Sequence, residues 1–241
     1  KECSVSIIVP ARNERGNIAK AVERIPQFGA YQEIIFVEGG SSDGTFEEIE
    51  RVAREYAGKK NIRYEKQDGR GKGDAVRKGF FTAKGEILMI LDADLTVRPE
   101  DLPKFYNAIA SRKGEFINGS RLVYQLEDES MRTLNMLGNK FFSLAFSWLL
   151  GQRIKDTLCG TKVLLKTDYE KIAASRAYFG NFDPFGDFDL LFGAAKLNLK
   201  IVEIPVRYQA RTYGYTNIQR WRHGWLLLKM TAVAIRKLKF I

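Results

Sequence analysis

Ile87-Leu88-Met89-Ile90-Leu91-Asp92-Ala93-Asp94 is the stretch whose reading decides the fold of this 241-residue chain. Five consecutive large apolar residues read as a short strand buried on both faces. Two carboxylates follow at once. In extended chain, residues two apart point to the same side, so Asp92 and Asp94 can face one site. Two hard oxygen donors at the mouth of a sheet suit Mg²⁺ or Mn²⁺, an ion that would also coordinate a diphosphate. Asp-x-Asp is common in loops and helix caps. Its place after a central strand is what gives it weight, because open α/β sheets bind ligands beyond the carboxyl ends of their strands.

On either side of this stretch, strands and helices alternate. Val5–Val9 is an apolar run closed by Pro10, and Asn17–Ile25 has helical spacing with Ile18, Val22 and Ile25 on one face. Glu33–Val37 reads as a second strand, Thr45–Tyr56 as a helix, Ile62–Tyr64 as a third strand and Asp74–Ala83 as a third helix. After the 87–91 strand come a helix over Pro99–Arg112 and a strand beginning at Phe116–Ile117. This repetition predicts an α/β fold with a mostly parallel central sheet flanked by helices. The second half is less regular: an apolar helix over Met136–Leu150, a strand at Lys162–Lys166, a helix near Asp189–Lys196, a strand at Ile201–Ile204 and a final helix from Thr216. No repeat or linker divides the chain. Residues 1–215 are expected to form one domain, with 216–241 a basic amphipathic helix that belongs to it or faces a membrane.

Composition narrows the function. Lys and Arg number 39 against 29 Asp and Glu, and the formal charge of +10 points to an anionic partner. No nucleic-acid motif is present and the basic residues gather on no groove-reading element, so nucleic acid is not expected. His223 is the single histidine, which argues against a Ser-His-Asp triad, a Cys-His pair and a His-rich metal site. Cys3 and Cys159 form no framework, as expected in a reducing compartment. Ser4–Pro10 is too short and too closely followed by charge for a signal peptide. Asn118-Gly119-Ser120 has the pattern of a glycosylation acceptor but follows an apolar run and reads as a strand end.

Chemistry gathers at two other strand ends. Pro10-Ala11-Arg12-Asn13-Glu14 follows the first strand, and Glu38-Gly39-Gly40-Ser41-Ser42-Asp43-Gly44-Thr45 follows the second. Such polar groups can grip a base and ribose, and they also serve as turns and helix caps. Gly69-Arg70-Gly71-Lys72-Gly73-Asp74 looks like a phosphate-cradling loop, yet Gly73 stands where a P-loop requires Ser or Thr. No Gly-x-Gly-x-x-Gly follows the first strand, which argues against a dinucleotide oxidoreductase.

The ordered set of motifs resembles the inverting family 2 glycosyltransferases with the GT-A fold, and among them the polyprenyl- and dolichyl-phosphate sugar transferases. The set comprises Ile8-Val9-Pro10 with Asn13-Glu14, Ser41-Ser42-Asp43-Gly44-Thr45, Gly71-Lys72-Gly73, Asp92-Ala93-Asp94, Gly119-Ser120-Arg121 and Asp156 with Cys159-Gly160. It continues with Asp189-Leu190-Leu191, Glu203-Ile204-Pro205-Val206 and Arg211 with Tyr213-Gly214. The resemblance implies a nucleotide-sugar donor of UDP or GDP type, with Pro10, Arg12 and Glu14 bordering the nucleotide, Asp43 on the base-side loop and Lys72 nearby. It implies that Asp92 and Asp94 hold a metal-diphosphate. It places Arg121, Arg132 and Arg211 towards the acceptor or diphosphate, where Arg forks suit phosphate oxygens. Three departures stand out. Glu38-Gly39 replaces the usual Asp-Asp, leaving Glu38 as the one carboxylate there. Thr96 replaces a Gln near the metal. Thr216-Asn217 replaces Ser-Lys after Arg211.

The implied reaction is a single in-line displacement at the anomeric carbon. A sugar-hydroxyl acceptor needs a general base, for which Asp187 or Asp189 is the candidate. A lipid phosphate needs none, because its second pKa is about 6. The 136–150 helix is short of the roughly 20 apolar residues a span requires. The final helix carries Trp221 and Trp225 beside Arg220, Arg222, Lys229, Arg236, Lys237 and Lys239. That pattern fits an anionic membrane interface, giving an expected location in the cytoplasm at the inner membrane face with a lipid-linked or saccharide acceptor.

Overall fold

The computed structural model describes residues 2–121, 129–176, 186–214 and 220–238, with the backbone alone for 129–139, 220–224, 226, 227, 237 and 238. Among these residues seven strands form one sheet: β1 Val5–Ala11, β2 Gln32–Glu38, β3 Asn61–Lys66, β4 Ile87–Ile90, β5 Phe116–Arg121, β6 Lys162–Leu165 and β7 Ile201–Val206. Their order across the sheet is β3-β2-β1-β4-β6-β5-β7. The four strands of the first half are mutually parallel, and β5 is parallel to β7. Only β6 runs antiparallel to both its neighbours, which sequence periodicity does not reveal.

The apolar runs predict burial on both faces, and the core is built that way. Val5, Ile7 and Val9 of β1 and Ile87 and Met89 of β4 point to one face. Three helices cover it: α1 (Arg15–Arg24) through Ile18 and Val22, α2 (Thr45–Glu55) through Ile49 and Val52, and α4 (Leu102–Ala110) through Phe105 and Ile109. Ile8, Ile35, Leu88 and Ile90 point to the other face. It is covered by α3 (Lys72–Thr82), α5 (Glu129–Leu150), α6 (Lys166–Ala174), α7 (Asp187–Lys196) and α8 (Arg220–Leu238). Gly79 brings α3 onto β1: a β-carbon there would lie 2.5 Å from the Ile8 side chain.

Several boundaries differ from the expectation for physical reasons. β3 is longer because ladder pairing with β2 carries it from Asn61 to Lys66 although it is half exposed. The expected helix over 99–112 is a 3-10 turn, Pro99–Asp101, followed by α4, whose own second residue is Pro103. It ends before Arg112, which takes a left-handed φ of 56°. α5 begins at Glu129 rather than Met136, and α7 at Asp187 rather than Asp189, directly after Gly186 with φ 73°. Parallel β1, β2 and β4 therefore end side by side, and the loops after them share one edge of the sheet.

Candidate active site

The loops after β1 and β2 are laced together. The Asn13 amide donates to Ser41 Oγ at 2.9 Å, and the Ser42 amide donates to Asn13 Oδ1 at 2.9 Å. The Glu14 amide donates to Thr45 Oγ1 at 3.0 Å. Asp43 accepts the amide of Arg15 at 3.2 Å, the amide of Thr45 at 3.1 Å and the hydroxyl of Tyr213 at 3.1 Å. Burial would raise the Asp43 carboxyl, but the Thr45 hydroxyl, which also donates to it, and these donors hold it below its ordinary value. Asp43 thus fastens the starts of α1 and α2 and ties both to the segment after β7. At the end of β2, buried Glu38 accepts the Ser41 amide at 2.5 Å. Gly39 sits between Arg12 and Gln67, since a β-carbon there would lie 3.3 Å from Arg12 Cβ and 3.4 Å from Gln67 Oε1. Pro10 is half-buried at the end of β1, and Arg12 is exposed.

The β4 end carries two carboxylates, each held by a cation from another part of the chain. Lys72, the first residue of α3, reaches Asp92 Oδ1 at 2.6 Å. Arg211 places Nη2 2.8 Å from Asp94 Oδ2 and Nη1 2.6 Å from Glu14 Oε1. The second Asp94 oxygen accepts from the amide and hydroxyl of Thr96 at 3.0 and 2.8 Å. Burial tends to discharge Lys72, but the carboxylates of Asp187, Asp92 and Asp94 prevail and raise its pKa above the usual lysine value. Glu14 moves the other way from most paired carboxylates: burial raises it, Arg211 opposes, and nearby Asp94 adds to the rise.

The segment carrying Arg211 lies as a strap over the β1 and β4 ends. The Gln209 amide donates to the Thr96 carbonyl at 2.8 Å. Tyr213 rests on Gly16, where a β-carbon would fall 2.5 Å from the ring. Gly160 is equally constrained: a β-carbon there would run into the Asp92 carboxylate and the Lys72 ammonium. The missing Ser or Thr at position 73 also has a local cause. A β-carbon on Gly186 would lie 2.6 Å from Gly73 Cα, so the first turns of α7 and α3 meet backbone to backbone.

Asp187 and Asp189 both lie in the first turn of α7 but face different surroundings. Asp187 is buried and accepts from Lys162 Nζ at 2.9 Å. Asp189 faces Arg77 and Arg176 at 3.7 and 3.5 Å. Arg121 is gripped by Asp156 through two short contacts of 2.6 and 2.7 Å, and it stacks its guanidinium over Tyr208 at 5.5 Å. The Asp156 carboxyl, which burial alone would raise, is held low by Arg121. The side chain of Arg132, and Thr216 and Asn217, lie outside the described residues. The sequence reading missed Lys162, whose one signal is a charge inside the otherwise apolar run Lys162-Val163-Leu164-Leu165.

Asp92 and Asp94 fit a divalent ion by the chemistry of the donor set: two hard carboxylates at a partly open edge, without competing thiolate or imidazole. Among the described residues no cluster of three His, Cys, Asp or Glu exists. The chain would supply two ligands and leave the remainder to diphosphate and water, as Mg²⁺ sites commonly do.

Residues 6–172 match the family described as Glycosyl transferase family 2. The chain belongs to that family. A Pyrococcus furiosus dolichol-phosphate mannosyltransferase is 30% identical over 98% of this chain and 67% of its own length. Haloferax volcanii glycosyltransferase AglJ is 26% identical over 93% of this chain and 69% of its own length. The low-salt glycan biosynthesis hexosyltransferase Agl6 of the same organism is 26% identical over 92% of this chain and 51% of its own length. The chain thus spans about half to two thirds of the length of these relatives. Mycobacterium tuberculosis glucosyl-3-phosphoglycerate synthase, solved with Mn²⁺, UDP and glucosyl-3-phosphoglycerate, superposes with a TM-score of 0.66 at 17% identity. That likeness covers 98% of this chain and 80% of that one, and at this identity it carries the GT-A fold.

Gly160→Ala should push Asp92 and Lys72 apart while leaving the sheet intact. The expected result is a thermal melt within a few degrees of the unmodified chain and a loss of Mn²⁺-dependent nucleotide-diphosphate binding of about tenfold or more in calorimetry. Unchanged binding would show that Asp92 and Lys72 lie outside the donor site.

Proposed function

We propose that this family 2 enzyme is a metal-dependent inverting glycosyltransferase that moves a sugar from a nucleotide-diphosphate donor to a membrane-associated acceptor, a polyprenyl phosphate. The observation that carries the reading is the crossed pairing at the β4 end: Lys72 on Asp92 and Arg211 on Asp94. Two carboxylates and two cations neutralise one another in the free protein. A divalent ion with a diphosphate brings the complementary charges, so the carboxylates can turn to the ion and the cations to the phosphate oxygens. Asp92 and Asp94 would hold Mg²⁺ or Mn²⁺, which supplies charge stabilisation to the departing diphosphate.

The chain's own residues do the remaining work. Lys72 and Arg211 neutralise the leaving group, which is the main electrostatic demand of the displacement. Glu14 steers Arg211 by its second contact. The laced loops after β1 and β2, with Pro10, Arg12, Glu38 and Asp43, border the nucleotide, whose base is of UDP or GDP type. An acceptor phosphate arrives already ionised and attacks without a base. Support for a lipid acceptor comes from the dolichol-phosphate relative and from the outer surface of α5 and α8. Phe141, Leu144 and Trp148 are 55%, 64% and 53% exposed on one side of α5, and Trp225 and Leu228 are 73% and 44% exposed on α8. Lys140, Lys229 and Arg236 are exposed on the same helices. Among the described residues no helix is long and apolar enough to cross a membrane. The surface therefore fits peripheral attachment at an anionic, cytoplasmic membrane face.

A saccharide acceptor is the second reading. It is favoured by the engagement of Arg121 with Asp156, which removes one cation that a phosphate acceptor would use. Asp187 is then the better placed base, since its carboxylate acts on Lys72 while Asp189 faces Arg77 and Arg176.

Asp94→Asn keeps the shape and removes the charge. It should leave the melt near that of the unmodified chain and lower Mn²⁺-dependent binding of UDP or GDP, and turnover of the matching sugar donor, by about a hundredfold. A folded variant with normal turnover and metal dependence would exclude Asp94 as a ligand. Lys229→Gln/Arg236→Gln should weaken binding to phosphatidylglycerol vesicles about tenfold at low salt without altering nucleotide affinity, and Trp225→Ser should remove the part that survives high salt. An unmodified chain that ignores such vesicles and glycosylates a soluble oligosaccharide would favour the saccharide reading.

A further inference from the structure

Lys162 opens β6 with its side chain wholly removed from solvent. Alternation along the strand turns it to the same face as Leu164, under α3 and α7. Its ammonium donates to the Cys159 carbonyl at 2.5 Å and to Asp187 Oδ1 at 2.9 Å. Desolvating such a pair costs about as much as the pairing returns, and an apolar pair of similar volume would hold the fold at least as well. Fastening alone is therefore a poor account of it.

Its location gives a better one. The contact of Gly186 with Gly73 sets the first turn of α7 against the first turn of α3, so Asp187 and Lys72 are brought to the same place from two elements. Asp92 holds the Lys72 ammonium directly at 2.6 Å, and the Asp187 carboxylate adds to the attraction. Four charges alternate from the core to the site: Lys162, Asp187, Lys72, Asp92. We propose that Lys162 is a positioning residue of the donor site, whose buried ammonium fixes Asp187 at the start of α7 so that Asp187 can hold Lys72 when Lys72 leaves Asp92 for a diphosphate. The proposal rests on the donor reading above and concerns a residue that never touches the donor.

The test compares the unmodified chain with Lys162→Met, Lys162→Arg and Lys162→Met/Asp187→Leu, read by backbone hydrogen exchange without ligand and by calorimetry with Mn²⁺ and UDP, GDP or CDP. In Lys162→Met, exchange should quicken about tenfold in the first turns of α7 and α3 while β1, β2 and β4 keep their protection. The Kd of the nucleotide that the unmodified chain binds should rise about tenfold, in the range usual for losing an outer-shell partner. Lys162→Arg should restore most of both. The double variant, which buries no unpaired charge, should melt near the unmodified chain and still bind weakly. If Lys162→Met keeps local protection and affinity, or loosens the whole sheet evenly, the proposal is wrong. If Lys162→Met does not fold, the double variant decides, and normal affinity in it overturns the proposal. If the unmodified chain binds none of the three nucleotides, the donor reading fails, and the exchange pattern decides the role of Lys162 by itself.

Discussion

Opposite charges from distant parts of the chain meet at the end of β4, and much of the architecture serves that meeting. Asp92 and Asp94 come from one loop, Lys72 from the start of α3, Glu14 from the loop after β1 and Arg211 from the strap after β7. Carboxylates crowded in this way repel one another, and Lys72 and Arg211 lie against them as counter-charges. On the proposed donor reading, the same cations would serve a departing diphosphate.

The sheet makes this convergence possible. Parallel strands release their chains at a common edge, and β1 lies between β2 and β4, so three loops open side by side. The antiparallel β6 then returns between β4 and β5, bringing Gly160 under Asp92 and Lys162 under Asp187. Glycines mark the closest approaches. Gly160 leaves room for the Asp92–Lys72 pair, Gly16 for the Tyr213 ring, and Gly73 for Gly186. None is replaceable by a larger residue without moving a group the site depends on.

The first half of the fold was legible because its signals are local. Apolar runs closed by polar turns gave the strands, and helical spacing gave α1 to α3. The Asp92/Asp94 pair was legible because a short run of residues holds both the strand and the carboxylates. What the sequence hid depends on long-range pairing. The antiparallel insertion of β6 has no periodic signature, since Lys162-Val163-Leu164-Leu165 could pair in either direction. The Arg121–Asp156 grip joins residues 35 positions apart, and Arg211 meets Asp94 across 117. Asp187 and Asp189 looked equivalent in sequence. They stand two residues apart in the first turn of α7, and a step of about 100° per residue sends one towards Lys162 and the other towards Arg77 and Arg176.

The central claim is an exchange of partners: carboxylates released to a metal as their cations turn to phosphate. The most direct measurement is a crystal structure of the chain with Mn²⁺ and the nucleotide diphosphate that it binds. The account predicts Mn²⁺ on Asp92 or Asp94, with Lys72 and Arg211 moved from these carboxylates onto the diphosphate oxygens. A nucleotide bound elsewhere, with Lys72 still on Asp92 and Arg211 still on Asp94, would contradict it.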